Sequence, residues 1–527
     1  MVVPGQARAP TRMRDHRQVT DLAELDRVRA RAMPSTTSSA RAGPLVVAVD
    51  VGSSSIRAGL YDTGGRPVRG AYAQVAYEPD VDDRGGVQLP VERLLATLTT
   101  TLDALVARSA GHLSRVAGAG VSCFLHSVAA FDRDRRPISP LLSWADTTSA
   151  AAAADLRATL EPGAVWAETG APLHASYWPA KILRLRSADA GAGARLFAGA
   201  PEILWHALTG QFGIDLSHAS GTGLLDRASG GWHGGLLRAL RLDPDALPQI
   251  LPGAAAAPLA GWSAERYADL RDVPWFAPWS DAWCGNVGLG AVAGGPAALQ
   301  VGTSGAIRVI QPGAAPPVPA GLFAHRLADG TSLLGGQLSE GGGVAAAVAR
   351  LVGSTTRALE RGAFELPADG HGLTILPFLA GERGTGYHER ARGTVTGLGL
   401  GTTRAELYLA TVEAIALRFA AIDRRLAAHL GHPPRIVASG GALARSELLA
   451  AVLAGALGRP FERSTVAEAS ARGAAIATLA AAGIIAGVAA LPPPPGRMVV
   501  PDPDRVAAMR PAALRQEALL ETLLGEA

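Results

Sequence analysis

A short apolar strand that runs into a Gly- and Ser-rich turn occurs twice in this chain, once near its start and once past its middle. In the first copy the run LVVAVD, from Leu45, leads into Val51–Ser54 (VGSS), and in the second AALQ, from Ala297, leads into Val301–Ser304 (VGTS). Each copy continues as a second strand-like run and then as helical segments. At 527 residues the chain is too long for one ordinary core, so the repetition predicts a duplicated domain of sheet and helices.

Helical periodicity and turn residues give the expected layout of the two halves. We expect helices over Val91–Ala110, Ala145–Leu160, Arg404–Leu430 and Ala444–Leu457. The boundary is placed near Gly290–Gly295, in the Gly-rich stretch GLGAVAGG. This predicts an N-terminal domain over 44–293, a C-terminal domain over 294–495 and a tail with a helix over 496–527.

Residues 1–43 differ from the rest in charge. Eight arginines against four acidic residues give this segment +4, so the remainder carries −1 of the formal net charge of +3. We predict a disordered basic extension, with Met33 as an alternative start. The near-neutral body has no electrostatic footprint for nucleic acid. Two cysteines are too few for a disulfide framework, which favours the reducing cytoplasm.

The uncharged stretch Gly473–Leu491 has the length of a membrane span. It consists largely of alanine and glycine, which contribute little to insertion into a bilayer. A buried helix followed by a loop is therefore expected here, and no membrane partner.

The two turns differ in the residue that precedes them. Asp50 stands before the first turn, whereas Gln300 holds the corresponding place in the second, and an arginine follows each turn, Arg57 and Arg308. Small residues let backbone N–H groups approach phosphate oxygens, and a carboxylate beside them is able to hold a hydrated Mg²⁺. The alternative for either turn alone is an ordinary β-hairpin with a polar turn.

A third element has a different form. The run Arg435–Ala442 (RIVASGGA) is a strand that ends in Gly440 and Gly441 before a helix. Such a junction lets a nucleotide lie against bare backbone, although alone it is as well explained by a helix-leading turn. The pattern GxxxxGK[ST] is absent, which argues against a P-loop kinase.

In this order the three elements resemble the phosphate-1, phosphate-2 and adenosine motifs of the actin and hexokinase superfamily. The segment Gly393–Glu413 resembles the C-terminal signature of the FGGY carbohydrate kinases, and it follows Gly381-Glu382-Arg383 as in that family. The segment Glu468–Ala475 is also similar to the family, so the resemblance covers roughly residues 44–490. It implies an α/β fold of two duplicated ribonuclease H-like domains, of the actin/hexokinase ATPase type, with a cleft between them.

The resemblance also implies cofactors and site residues. Mg²⁺ is expected at Asp50, with ATP as co-substrate. The expected nucleotide-binding residues are Gly52, Ser53, Ser54, Ser55, Arg57, Gly302, Thr303, Gly440, Gly441 and Arg445. Phosphoryl transfer to an alcohol needs a carboxylate to accept the proton of the hydroxyl, and Asp281 in PWSDAWCGN stands where the family has it. As an Asp before a helical segment, it is also a candidate N-cap.

The expected sugar-binding residues come from elements that resemble the family's Met-His and Trp-x-Asp motifs, from the chain's single lysine and from the base. They are His126, Trp144, Asp146, Lys181 and Asp281. A lone His or Trp is more often structural than a ligand contact, and an ordinary surface lysine is the alternative for Lys181. Thr148 stands where the family usually has an arginine, so any role of that arginine must be filled otherwise.

Within the family, Gly170–Lys181 and Val301–Arg308 look most like gluconate kinases. The resemblance implies ATP-dependent phosphorylation of D-gluconate to 6-phosphogluconate, with a xylulokinase or another pentulose or polyol kinase as the alternative. A non-catalytic sugar or nucleotide sensor is a second alternative, since Thr148, Arg184 and Ser339-Glu340 depart from the pattern. An actin-like filament protein is a third. The expected partners are the sugar and ATP, and the candidate assembly is a homodimer.

Overall fold

Two mixed sheets, each of seven strands, organise the chain. The computed structural model describes residues 43–187 and 193–525, so the predicted basic extension and Met33 lie outside the described residues, Gly43 excepted. The strands of the first half are β1 (Leu45–Val51), β2 (Ser55–Tyr61), β3 (Pro67–Ala76), β4 (Asp80–Val81), β5 (Val87–Leu89), β6 (Val116–Cys123), β7 (Ala129–Phe131), β8 (Leu141–Leu142), β9 (Leu196–Ala198), β10 (Ala256–Ala257), β11 (Trp275–Phe276) and β12 (Trp279–Ser280). Those of the second half are β13 (Ala297–Val301), β14 (Gly305–Pro312), β15 (Phe323–Arg326), β16 (Thr331–Leu338), β17 (Thr374–Leu376), β18 (Thr394–Thr396), β19 (Ile436–Ser439), β20 (Phe461–Arg463) and β21 (Arg497–Val499).

The two sheets share one plan. The first has the order β10-β11-β6-β1-β2-β3 with β12 also paired to β6, and the second has the order β15-β16-β14-β13-β19-β20-β21. In each, a leading strand (β1 or β13) pairs antiparallel with the next strand and parallel with a strand from farther along the chain (β6 or β19). The predicted duplication is confirmed.

Helices cover the sheets and fill the connections. They are α1 (Val91–Ser109), α2 (Ala150–Thr159), α3 (Pro162–Thr169), α4 (Trp178–Ser187), α5 (Ala200–Thr209), α6 (Leu216–Gly221), α7 (Gly234–Leu240), α8 (Trp262–Arg266), α9 (Asp281–Gly288), α10 (Gly342–Leu351), α11 (Thr356–Phe364), α12 (Arg404–Leu430), α13 (Gly441–Arg445), α14 (Glu447–Leu457), α15 (Ala469–Ala481) and α16 (Pro503–Leu524). Smaller sheets join β4, β5 and β8, then β7 and β9, and then β17 and β18.

The predicted helices agree with the structure for α1 and α12 and differ at two ends. The helix expected from residue 145 begins only at Ala150, because the Asp146 carboxylate accepts the N–H of Thr148 in a turn. The helix expected from residue 444 is divided, because Ser446 is extended and its hydroxyl accepts the N–H of Leu449, which starts a new helix.

Each half has its own apolar core. Strand β1 is buried along its whole length, and α1 packs leucines such as Leu94 and Leu98 onto that sheet. In the second half α12 begins in a capping box between Thr403 and Glu406, is 27 residues long, and is buried from Tyr408 to Asp423.

Helix α15 follows β20 of the second sheet in sequence but packs on the first sheet. Its Ala471, Ala474 and Ala475 share a buried cluster with Val46 and Ala48 of β1. The uncharged stretch predicted as a buried helix and loop is accounted for by this helix, which ends at Ala481. No helix of the described chain combines the length and apolarity that crossing a bilayer requires.

The C-terminal tail also belongs to the second sheet. Strand β21 extends that sheet by pairing with β20, and the predicted tail helix is α16. The amide of Gln516 on α16 donates to the carbonyls of Ile375 and Ala414, which fixes the helix to the second half.

Helices α9 and α15 touch through glycines. A Cβ at Gly473 would lie 1.8 Å from the carbonyl oxygen of Cys284, which is backbone and has no room to move. We expect Gly473→Ala to lower the free energy of unfolding by roughly 1–3 kcal/mol, although alanine is the better helix former. Thermal unfolding measures the loss.

The matched control for this change is Gly111→Ala, where an added Cβ meets nothing within 4 Å. It should leave the unfolding temperature nearly unchanged. A Gly473→Ala protein as stable as this control would contradict the close helix contact.

Candidate active site

Three parallel strands of the first sheet end at one level, and the candidate site begins there. Val51 of β1 and Ser280 of β12 are both register partners of Cys123 in β6. The residues that follow these strand ends are therefore placed side by side at the carboxyl edge of the sheet, where ligands bind in open α/β sheets. This arrangement brings together the first Gly-Ser turn, the loop that carries His126, and Asp281.

A cavity of about 200 Å³ opens beside this edge, and both halves of the chain line it. Its polar wall includes Ser53, His126, Trp144 and Asp281 from the first half and Gly302, Ser304, Arg308, Gln337 and Arg383 from the second. The predicted base thus shares one cavity with members of both predicted phosphate turns and with two of the predicted sugar residues.

Asp281 is the first residue of α9. The residue that caps this helix is Ser280, whose hydroxyl accepts the N–H of Trp283, so the N-cap interpretation of Asp281 was wrong. Burial raises the pKa of the Asp281 carboxyl to about 6, with Arg308 acting against the rise and Asp50 adding to it. A carboxylate of this basicity is suited to accept a proton near neutral pH.

His126 lies in the cavity wall with a left-handed backbone, φ +68°. Its Nδ1 is 2.8 Å from the carbonyl oxygen of Gly221, which requires a proton on Nδ1 and leaves Nε2 as an acceptor. Burial lowers the pKa of the ring well below its usual value, so the imidazole is neutral. Nε2 lies 3.3 Å from the side-chain oxygen of Gln337, so a hydroxyl group that enters the cavity would meet both of these atoms.

Lys181 and Asp146 do not line this cavity; they lie behind it. The Lys181 ammonium donates to the carbonyls of His126 (2.6 Å) and Ser143 (2.7 Å), the second of which directly precedes Trp144. Burial lowers the Lys181 pKa to about 7. Asp146 accepts the N–H of Val87. Both predicted sugar residues thus support the loops that carry His126 and Trp144.

Arg383 and Gln337 line the cavity, and the sequence analysis assigned neither of them a role. The Arg383 guanidinium lies over the Trp144 ring, 4.6 Å from its centroid, and donates to Gln337 Oε1 at 2.9 Å. Gln337 in turn donates to the hydroxyl of Tyr177 in the first half. Thr148, which replaces the family arginine, bonds Asp146 instead. Arg383 could have been proposed as a site residue from its place in the family-like run Gly381-Glu382-Arg383. No sequence pattern indicated Gln337.

The two phosphate-type turns are similar without being equivalent. The first spans four residues between paired Val51 and Ile56, and the second spans three between Val301 and Gly305. In each, the following arginine bonds the residue before the turn. Arg57 pairs with Asp50 at 3.0 Å, and Arg308 donates to Gln300 Oε1 at 2.5 Å.

Within the first turn, the N–H of Gly52 donates to the Ser55 carbonyl, and the Ser54 carbonyl accepts the N–H of Tyr77. Asp50 is buried; it accepts from Arg57 and from the Ser122 hydroxyl, and burial raises its pKa. An oxygen donor so placed beside the turn fits a hydrated Mg²⁺, which offsets the cost of burying the charge.

The second turn and the predicted adenosine motif are brought together by close glycine contacts. The Gly302 and Thr303 carbonyls accept the N–H groups of Gly342 and Gly343 at the start of α10. A Cβ at Gly342 would lie 2.6 Å from Ala442.

Gly440 has φ +111°, and a Cβ there would lie 2.3 Å from the Val301 carbonyl oxygen. Arg445 folds back against Gly441. Glycine backbone that follows β13 and β19 and that begins α10 is therefore close together. Backbone without side chains is what a nucleotide site needs for close approach of the ligand.

These features define a two-domain α/β protein with a phosphate-type turn on either side of a polar cavity. The chain belongs to the FGGY family of carbohydrate kinases: the family's N-terminal domain matches residues 45–288 and its C-terminal domain residues 297–482. The protein is accordingly an ATP-dependent carbohydrate kinase, with the fold expected from the sequence.

Relatives with different sugars resemble this chain to similar degrees. A gluconokinase of Bacillus subtilis (strain 168) is 26% identical over 421 residues, which cover 76% of this chain and 81% of the relative. A xylulose kinase of Streptomyces rubiginosus is 29% identical over 405 residues, covering 73% and 77%. The crystal structure of gluconate kinase from Lactobacillus acidophilus has a TM-score of 0.82 at 23% identity, covers 91% of this chain and 98% of that one, and supports the fold.

Proposed function

We propose that this kinase transfers the γ-phosphate of ATP to D-gluconate and forms 6-phosphogluconate. The observation that carries the proposal is the charge of the cavity, whose lining includes a buried arginine, Arg383, and a half-buried one, Arg308, but a single carboxylate, Asp281. Such a cavity favours an anionic sugar over a neutral one. The Bacillus subtilis gluconokinase supports the same choice. Xylulose is the second candidate, supported by the xylulose kinase relative.

In the proposed mechanism the two turns hold the phosphates. Ser53 from the first turn and Gly302 and Ser304 from the second face the cavity. Arg308 enters beside the second turn and neutralises charge that develops on the transferred phosphoryl group. Gly440 and Gly441 provide the surface for the adenosine.

Asp281 accepts the proton of the attacking hydroxyl. The hydroxyl oxygen forms a bond to the γ-phosphorus, the bond to the oxygen of the leaving ADP breaks, and the proton passes to the carboxylate. His126 Nε2 and the Trp144 ring orient the sugar in this scheme, while Lys181 fixes the loops of both.

Mg²⁺ at Asp50 would supply charge neutralisation to the phosphates, held through water. The bond between Gln337 and Tyr177 joins the two halves over the cavity and helps to exclude water, which would otherwise compete as the phosphoryl acceptor. We place the reaction in the cytoplasm, which suits the buried, unpaired thiols of Cys123 and Cys284.

A coupled ADP-release assay over gluconate, xylulose, ribulose, glycerol and fuculose tests the substrate. We expect gluconate to give the highest kcat/KM, because it alone carries a charge complementary to the cavity. Absence of turnover with gluconate, together with turnover of a neutral sugar, would overturn the assignment. An absence of turnover with every sugar, alongside sugar binding, would favour the sensor.

Asp281→Asn should lower kcat by roughly a hundredfold or more, since the amide is unable to accept the hydroxyl proton. ATP binding, measured by calorimetry, should stay close to that of the unchanged protein. As a matched control, Asp269→Asn removes a carboxylate from an exposed site in the same half and should leave kcat intact. Unchanged turnover in Asp281→Asn would refute its role as base.

The pH profile should follow the same carboxyl. Because the base must be ionised and its pKa is about 6, kcat/KM for the sugar should rise about tenfold per pH unit below pH 6 and level off above it. An Asp281→Asn protein should lack this inflection in its residual activity. A profile of the unchanged enzyme that is flat from pH 5 to 8 would speak against Asp281.

A further inference from the structure

Arg383 is a buried cation without a direct ion-pair partner among the described residues; the carboxylates of Glu340 and Asp281 act on it only from farther away. Its residue surface is 7% exposed, and no carboxylate oxygen of the described residues lies within 4.0 Å of its guanidinium nitrogens. The neighbouring Glu382 is engaged elsewhere, in a buried ion pair with Arg418 of α12. A buried charge without a partner is costly, so a fold that retains one commonly has a ligand to neutralise it.

The Arg383 guanidinium is held in one orientation, but not all of its N–H groups have hydrogen-bond partners. One face lies on Trp144, and one terminal nitrogen donates to Gln337 Oε1. Its Nε is buried and has no hydrogen-bond partner. Since Arg383 lines the cavity, donors of a planar fork remain for a ligand that enters there.

The position of Arg383 is fixed from behind. Arg418 bonds the Glu382 carboxylate and also donates to the Gly384 carbonyl at 3.1 Å, so both neighbours of Arg383 in the chain are anchored to α12. A fork held in this way binds a carboxylate in a defined orientation, at a small cost in side-chain entropy.

The other cavity arginine has a different place. Arg308 bonds Gln300, the residue before the second phosphate turn, and so lies on the nucleotide side. Arg383 lies on Trp144, which belongs to the loop predicted to bind sugar. Two anionic groups, the transferred phosphate and a charge on the sugar, would thus each have a guanidinium.

We propose that Arg383 is the residue that selects a sugar acid, by pairing its guanidinium fork with the carboxylate of an open-chain polyhydroxy acid while Trp144 and Gln337 hold the fork in place. This assignment rests on the proposed function and names the group that would confer its preference for an acid. Position 148, where the family usually has an arginine, holds a threonine in this chain. In the proposal Arg383, from the other half of the chain, supplies the cation beside the sugar instead.

The test compares Arg383→Gln with the unchanged enzyme on gluconate and on its uncharged analogue glucitol, which presents a hydroxyl in place of the carboxylate. We expect kcat/KM for gluconate to fall about 10- to 150-fold, the loss of a charge-assisted pair. The kcat/KM for glucitol should change less than threefold. Arg383→Lys should recover part of the activity on gluconate, since it restores the charge without the fork.

Arg390→Gln is the matched control, an exposed arginine on the same loop, and should behave as the unchanged enzyme. Equal losses on gluconate and glucitol in Arg383→Gln would show a structural role and overturn this assignment while leaving gluconate as substrate. If the unchanged enzyme phosphorylates neutral sugars and neither binds nor phosphorylates gluconate, both the role of Arg383 and the proposed function are overturned. Calorimetric binding of gluconate by the Arg383 variants provides a reading independent of turnover.

Discussion

Parallel pairing of β1, β6 and β12 is the constraint on which the rest of the site depends. Because Val51, Cys123 and Ser280 are in register, three chain segments far apart in sequence leave the sheet at one level. Each then brings a different predicted element into the same space: the first phosphate-type turn, the loop that carries His126, and the proposed base Asp281. A slip of one residue in any of these pairings would turn its side chains to the other face and separate the three.

Burial then determines how these groups behave. The same removal from water makes Asp281 more basic, keeps His126 neutral and lowers the pKa of Lys181. The shifts at Asp281 and His126 leave a carboxylate basic enough to accept a proton and an imidazole that is neutral. Hydrogen bonds offset part of the energetic cost, as those from Lys181 to two backbone carbonyls do, and at Arg383 we assign the direct partner to the ligand.

The features that could be predicted from the sequence are those formed by residues close together in the chain. The repeated turn predicted two sheets because a strand, a Gly-rich turn and a strand form a local unit, and α12 was predictable from a capping box and a periodic apolar run. The first residue of α9 was harder to predict, because Asp and Ser both cap helices well. Only the backbone conformation shows that Ser280, and not Asp281, is the N-cap. The pairing of Arg383 with Trp144 and of Gln337 with Tyr177 joins residues from opposite halves, and one sequence holds no local signal for such contacts. The sugar residues Lys181 and Asp146 were placed near the site by resemblance, and only packing shows that they lie behind its wall.

The position of α15 has a consequence for how the protein is made. The first sheet is synthesised early, yet the helix that covers one of its faces ends at Ala481. Until the ribosome has added almost the whole second half, Val46, Ala48 and Tyr61 have no α15 to pack against, and this apolar surface remains open to misassociation. The second half therefore completes the first, and the two would not mature as independent units in the order of translation.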